Sequence, residues 1–366
     1  MDPSTLLAQS APADWPSVAP ADAGFVPDLA GRLDKLIADK RAWNVHGVVV
    51  TRGGRMVLER YFKGDDRSRG RALGEVAFGP ETLHDLRSVS KSVVGLLYGI
   101  ALARGQVPPP ETKLMPLFPR YADLADDPGR AQWAVQHVLT MTMGTDWDES
   151  SIPYTDPANS EIAMDAAPDR YRYVLGRPVV FTPGTRWVYT GGATALLGKL
   201  IAEGTGQSLH AFAREALFDP MGLGPTEWLT DGRGIEFAAS GLRMRPRDIA
   251  RIGQLLLNGG TMDGKSIVKK EWLARATTEF AVCDETRRYG YQWYMGYFGF
   301  AVPDGPGWSR NRLERFWGAY GNGGQRLWVL PGMDLVVAVV CGNYDTPDQW
   351  IPPVRVLREV VLAGVT

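Results

Sequence analysis

The sequence predicts an α+β fold in which both ends of the chain build one antiparallel sheet and a mainly helical segment is inserted between them. Three observations carry that prediction. Strand-like runs occupy residues 45–62 and return only after Tyr289. Residues 106–275 read mainly as helices and long loops, with little period-two alternation. An apolar run of nearly helical period, residues 92–105, follows the first strands and stops on Gly105.

The elements follow in order. Residues 1–24, rich in Ala, Pro, Ser and Asp, form an extended lead-in, and residues 6–11 resemble the remnant of a cleavage region. Residues 28–40 read as a surface helix. Thr51-Arg52-Gly53-Gly54-Arg55 is a hairpin signature between two strands. After the insert come a strand at Tyr291-Gln292-Trp293-Tyr294, a second at residues 326–330, a turn at Pro331-Gly332-Met333-Asp334, and a third at residues 335–340. A helix over residues 352–363 closes the chain. The expected organisation is a sheet subdomain from residues 25–105 and 276–366, with a helical subdomain from 106–275.

Bulk properties narrow the function. Lysine plus arginine (40) balance aspartate plus glutamate (41), so no net field favours nucleic acid or an anionic membrane. No stretch is apolar for long enough to span a bilayer. The expected compartment is cytoplasmic, or periplasmic if an export signal has been removed. Cys283 and Cys341 are the only cysteines, and spacing leaves their pairing open. The four histidines, His46, His84, His137 and His210, show no metal-ligand spacing, so neither metal nor cofactor is expected.

Chemistry concentrates at Ser88-Val89-Ser90-Lys91. A serine at the head of a buried helix lies beside unpaired N–H groups and the positive end of the dipole. A lysine three residues on shares its face and can reach its oxygen. Burial disfavours the ammonium form, which makes Lys91 a proton acceptor near neutral pH. The same spacing recurs at Ser266-Ile267-Val268-Lys269, but turn signals surround it and nothing there would dehydrate Lys269. Context separates the two. A serine–lysine pair also needs a third polar partner and an oxyanion site. Tyr189, on the glycine-rich turn before the apolar run 193–202, and Gly321-Asn322-Gly323-Gly324, before a strand, offer them.

In this order the segments resemble the serine β-lactamase-like superfamily, which includes class C β-lactamases, D-alanyl-D-alanine peptidases, family VIII carboxylesterases and 6-aminohexanoate-dimer hydrolases. Ser88-Val89-Ser90-Lys91 matches its Ser-x-x-Lys, and Tyr189-Thr190-Gly191 falls where Tyr-x-Asn or Tyr-x-Ser is expected. Ala319-Tyr320-Gly321 stands where relatives carry Lys-Thr-Gly or His-x-Gly. The resemblance implies a site between the two subdomains, with Ser88 as nucleophile, Lys91 and Tyr189 sharing the proton work, and the backbone N–H groups of Ser88 and Asn322 as the oxyanion site. It implies an acyl-enzyme and a small ester or amide as partner.

Two departures shape the expected substrate. Gly191 removes the motif's polar third side chain, and Ala319 removes its cation, which favours a compact, less anionic ester or amide over a β-lactam. Tyr154, Asp156, Trp293 and Trp317 are the expected substrate contacts, with Asp156 placed to receive a substrate amine. The competing readings are a β-lactamase or D-aminopeptidase-like activity, an acyltransferase, and a non-catalytic binder. The co-occurrence of Ser88, Lys91 and Tyr189 counts against the binder. Nothing in the sequence fixes the oligomeric state.

Overall fold

A computed structural model describes residues 15–68, 70–303 and 309–366. Most of the lead-in, including residues 6–11, lies outside the described residues. Near the start, α1 (Leu29–Ala38) precedes β1 (Val45–Arg52) and β2 (Arg55–Tyr61), whose turn places Gly53 and Gly54 at φ +58° and +69°. Two consecutive positive-φ residues are what a two-residue hairpin requires, which is why glycine stands at both. A small ribbon of β3 (Lys63–Ser68) and β4 (Arg71–Ala77) leads to the short β5 (His84–Asp85) and then to α2 (Val89–Ala103).

The middle of the chain holds α3 (Val135–Leu139), α4 (Ser160–Ala166), α5 (Arg170–Leu175), α6 (Gly191–Thr205) and α7 (Leu209–Ala213). Two short strands follow, β6 (Glu227–Trp228) and β7 (Leu242–Met244), then α8 (Pro246–Leu257). A tiny hairpin of β8 (Thr261–Met262) and β9 (Lys265–Ser266) precedes α9 (Lys270–Ala276). The last third is strand-rich: β10 (Ala281–Val282), β11 (Arg287–Tyr289), β12 (Tyr294–Pro303), β13 (Ser309–Gly321), β14 (Gln325–Leu330) and β15 (Leu335–Cys341). A helical run opening with α10 (Ile351–Arg355) continues to Gly364.

Eight strands form one antiparallel sheet in the order β10-β11-β12-β13-β14-β15-β1-β2, so the two ends of the chain meet where β15 pairs with β1. The sheet has a core on each face. On one face, α1 and the C-terminal helical run cover Val48, Val50, Trp328, Val337 and Val339. On the other, α8 lies directly on the sheet: a Cβ at Gly253 would sit 2.5 Å from Val336, so the helix approaches only because no side chain is there. Helix α2 is buried along its length between this face and α6.

One expectation needs correction, and one strand pairs across the expected division of the chain. Residues 291–293 are not strand; β12 begins at Tyr294, because Gln292 takes φ +63° and turns its amide into the neighbouring layer. Its side chain donates to the carbonyls of Val138 and Leu139 and accepts from Thr194, tying α3 and α6 to the sheet. Strand β5 does not join the large sheet. It pairs with β7 from the middle of the chain, in the order β5-β7-β6. Cys283 and Cys341 are both free thiols.

Candidate active site

The strand–turn–helix from β5 to α2 sets the site. Arg87 adopts φ +49°, an unusual conformation for a side-chain-bearing residue, and this sharp turn delivers Ser88 to the helix start. The turn is braced: Ser90 Oγ donates to the Arg87 carbonyl at 2.6 Å and accepts from the Leu242 amide at 3.2 Å. The end of β13 presses on the same turn, since a Cβ at Gly321 would lie 2.3 Å from the Leu86 carbonyl oxygen. That contact brings Asn322 to the cavity wall shared with Ser88.

Lys91 Nζ donates to Ser88 Oγ at 2.8 Å and to the Ala239 carbonyl at 3.3 Å. The ammonium also lies 4.8 Å above the Tyr189 ring, and the Ser88 side chain favours the ionised form of the Tyr189 phenol. The Tyr189 ring is held by Tyr294, which itself stacks on Tyr320 at 4.7 Å. The three residues expected to carry the chemistry are therefore assembled in one place from α2 and the turn before α6.

The electrostatics reverse the expectation for Lys91. Burial alone would lower its pKa, but Glu161, Tyr189 and Glu149 together outweigh that and raise it above the ordinary lysine value. Glu149 Oε1 and Glu161 Oε2 each lie 3.7 Å from Nζ, in a region excluded from water. Burial is legible in the apolar run of α2, whereas the charges buried beside Lys91 come from elements distant in the chain. Glu149 is raised as well, which for a carboxyl group favours the neutral form. Burial, then the charge of Glu161, lifts Glu149 to about 8, with Lys91 pulling against them. Burial likewise raises the Tyr189 phenol, opposed by Lys91.

Gly191 explains how the acids fit. A Cβ there would lie 2.8 Å from Glu161 Oε2 and 3.0 Å from Glu149 Oε2. The Gly191 amide donates to Glu149 Oε2 at 2.5 Å, as does Trp147 Nε1 at 2.6 Å, and the Tyr154 hydroxyl donates to Oε1 at 3.2 Å. The two glutamates thus occupy the space beside the tyrosine motif's missing side chain. Glu161 escaped the sequence reading because nothing local marks it. Only the capping of α4 by Asn159, whose Oδ1 accepts from the Glu161 and Ile162 amides, hints that this turn is built to a purpose.

A cavity of about 270 Å³ opens over Ser88. Tyr154, Glu161, Asp165, Ser240 and Asn322 line it, with Arg67 and Arg87 at its margin. Of the expected substrate contacts, Tyr154 alone lies there. Asp156 is exposed and caps its own loop, accepting from the Ala158 amide at 2.8 Å; Asp165, one turn after Glu161 on α4, is the carboxylate in the wall. Trp293 is fully buried in the core, and Trp317 packs from β13 against the same core, opposite Val329. Ala319 is buried too. The loss of a cation there does not leave the cavity without positive charge, because Arg67 and Arg87 bring guanidinium groups from other elements.

Beneath the turn, His46, Asp66 and His84 form the group of described residues with a donor set suited to a metal. Its geometry is that of a hydrogen-bonded cluster. His46 Nδ1 lies 2.9 Å from His84 Nε2, the outer nitrogens bond Asn44 Oδ1 and the Asp85 carbonyl, and the Tyr344 hydroxyl donates to Asp66. Burial holds His46 down to about 2 and lowers His84 as well. The cluster fastens β1, β3 and β5 behind the serine.

Comparison with known proteins places this architecture. A family model described as Beta-lactamase matches residues 33–350. The 6-aminohexanoate-dimer hydrolase of Paenarthrobacter ureafaciens is 26% identical over 346 residues, covering 88% of this chain and 77% of that protein. Lovastatin esterase of Penicillium rubens is 26% identical over 142 residues, 37% of this chain and 34% of that one. Among solved structures, EstCE1, a hydrolase with promiscuous acyltransferase activity, superposes with a TM-score of 0.68 at 15% identity, covering 93% of this chain and 97% of that chain. At that identity the likeness speaks for the fold alone.

Proposed function

The chain belongs to the beta-lactamase family of serine hydrolases, and on that premise we propose that it cleaves an ester or amide bond of a small substrate through an acyl-enzyme on Ser88. The observation that carries this reading is the buried 2.8 Å contact between Lys91 Nζ and Ser88 Oγ, with the Tyr189 ring 4.8 Å from the same Nζ. Ser88 Oγ attacks the substrate carbonyl carbon while its proton passes to the Lys91–Tyr189 pair. The developing oxyanion faces the backbone N–H groups of Ser88 and Asn322, where fixed dipoles stabilise charge without reorganising. The C–O or C–N bond then breaks as Tyr189 returns a proton to the leaving oxygen or nitrogen. Water hydrolyses the acyl-serine by the reverse proton path.

A more specific reading is an amide substrate bearing an amine. Glu161 and Asp165 in the cavity wall favour it, and so does the relative named as a 6-aminohexanoate-dimer hydrolase.

The test is rapid mixing with p-nitrophenyl butyrate. A burst of nitrophenol equal to the enzyme concentration, absent in Ser88→Ala, is the expected result; unchanged turnover in Ser88→Ala overturns the mechanism. For the amine-bearing substrate, ω-aminoacyl p-nitroanilides should outrun their uncharged acyl counterparts, and Asp165→Asn should erase the difference.

A further inference from the structure

The two carboxylates beside Lys91 favour its ammonium form, and an ammonium cannot take the proton of Ser88. The resting site therefore needs somewhere for a Lys91 proton to go before acylation. Two carboxylates flank Nζ at 3.7 Å, and both fill the room left by Gly191. We propose that Glu149, paired with Glu161, is the proton acceptor that makes Lys91 a base: Lys91 passes a proton to Glu149 Oε1 and takes the proton of Ser88 Oγ as the serine attacks. This rests on the acyl-enzyme reading above. Glu149 acts through Lys91 and does not touch substrate.

The step balances. One N–H bond breaks and one O–H bond forms at Glu149; Nζ recovers its hydrogen from Ser88; the new Ser88 O–C bond takes the oxygen's electron pair. When the leaving group departs, a proton returns along the same path, so no net charge enters the buried site during the cycle. A transfer from an ammonium to solvent would instead strand a lone carboxylate charge in a low dielectric. The 3.7 Å separations exceed a hydrogen bond, and transfer requires the pair to close by under 1 Å, as catalytic contacts do when the reacting complex forms. The pair's position explains the glycine: any side chain at 191 would enter the space of both acceptor carboxylates.

The acceptor must be empty to work. Its ionisation governs the acid side of the rate profile, so acylation should rise with pH through about 8. The groups facing Glu149 and Glu161 are Lys91 from α2, Tyr154 from the loop before α4, Tyr189 from the turn before α6 and Tyr289 from β11. Burial raises all three tyrosines above the ordinary phenol value, which leaves Glu149 as the group among these that titrates in that window.

The experiment is the pH profile of the nitrophenyl butyrate burst rate for the full chain and for Glu149→Gln, Glu149→Asp and Glu161→Gln. Expected is a limb near pH 8 that Glu149→Gln removes, with the burst rate falling about a hundredfold, the size of one acid–base contribution. KM should stay unchanged, and Glu149→Asp should recover part of the rate. A second measurement needs no variant to fold: carbon-13 NMR of the unsubstituted protein labelled at glutamate Cδ should show a resonance titrating near 8. If every glutamate resonance titrates below about 6, or if Glu149→Gln keeps the wild-type profile and rate, the relay is wrong. A burst that persists in Ser88→Ala would instead overturn the acyl-enzyme reading, so the two failures are distinguishable.

Discussion

The chain contains the same tetrad twice, and the two copies differ in everything except spacing. Ser88 and Lys91 sit at a sharp turn into a buried helix, with Lys91 only 1% exposed and in hydrogen-bond contact with the serine. Ser266 and Lys269 straddle the end of β9 and the start of α9, both exposed, beside a broad surface hollow of about 650 Å³. Size alone would favour the second place. Chemistry favours the first, because a hydroxyl becomes a nucleophile only where a neighbouring base is held in reach and water is kept away. In the exposed copy the backbone runs from strand into helix between the two residues, so Ile267 and Val268 separate their side chains instead of a single helical face aligning them.

That contrast can be broken by experiment, beginning where the effect is largest. Ser88→Ala should lower kcat by on the order of a millionfold, while Ser266→Ala leaves it within error; equal losses in steady-state esterase assays would erase the distinction. Lys91→Met should reduce the acylation rate by about 10²–10⁴-fold, as expected for loss of a proton-transfer group, whereas Lys269→Met changes nothing measurable.

Packing sharpens the same comparison. Gly321→Ala would drive a methyl into the Leu86 carbonyl, which cannot move without disturbing the Ser88 turn. A loss of about 1–3 kcal/mol in urea unfolding should accompany a weaker burst. Gly264→Ala, in the hairpin before Ser266, meets no atom within 4 Å but sits at φ +75°. Its cost should be about 1 kcal/mol of backbone strain, with activity intact. A larger effect at Gly264 than at Gly321 would mean that the two regions are not packed as described.

Much of this was legible in the residues. Helix α2 was visible as an apolar run ending near Gly105, and the β1–β2 turn was visible in Gly53-Gly54, because both signals are local. The structure brings Ser88, Lys91 and Tyr189 together and puts Tyr154 in the cavity wall; the first three stand beside a recognisable helix start or turn, and Tyr154 is a loop aromatic. Asp156, Trp293 and Trp317 were misplaced because residue type does not reveal which way a side chain faces. Asp156 satisfies its own loop, and the two tryptophans are worth more to the core than to a wet cavity. Glu161 and Asp165 were missed because their meaning comes from α2 and Gly191, far away along the chain.

The sequence by itself determined α2, the β1–β2 hairpin, the β14–β15 pair and the chemical class of the site, since these depend on periodicity, on turn residues and on residue types set side by side. Tertiary structure alone decided the charge on Lys91. Burial and the approach of two carboxylates act on a lysine in opposite directions, and no local pattern says which will prevail. Only the packing of α2 against the turn before α6 and the start of α4 brings Glu149 and Glu161 within 3.7 Å of Nζ, and at that distance inside the protein the attraction wins.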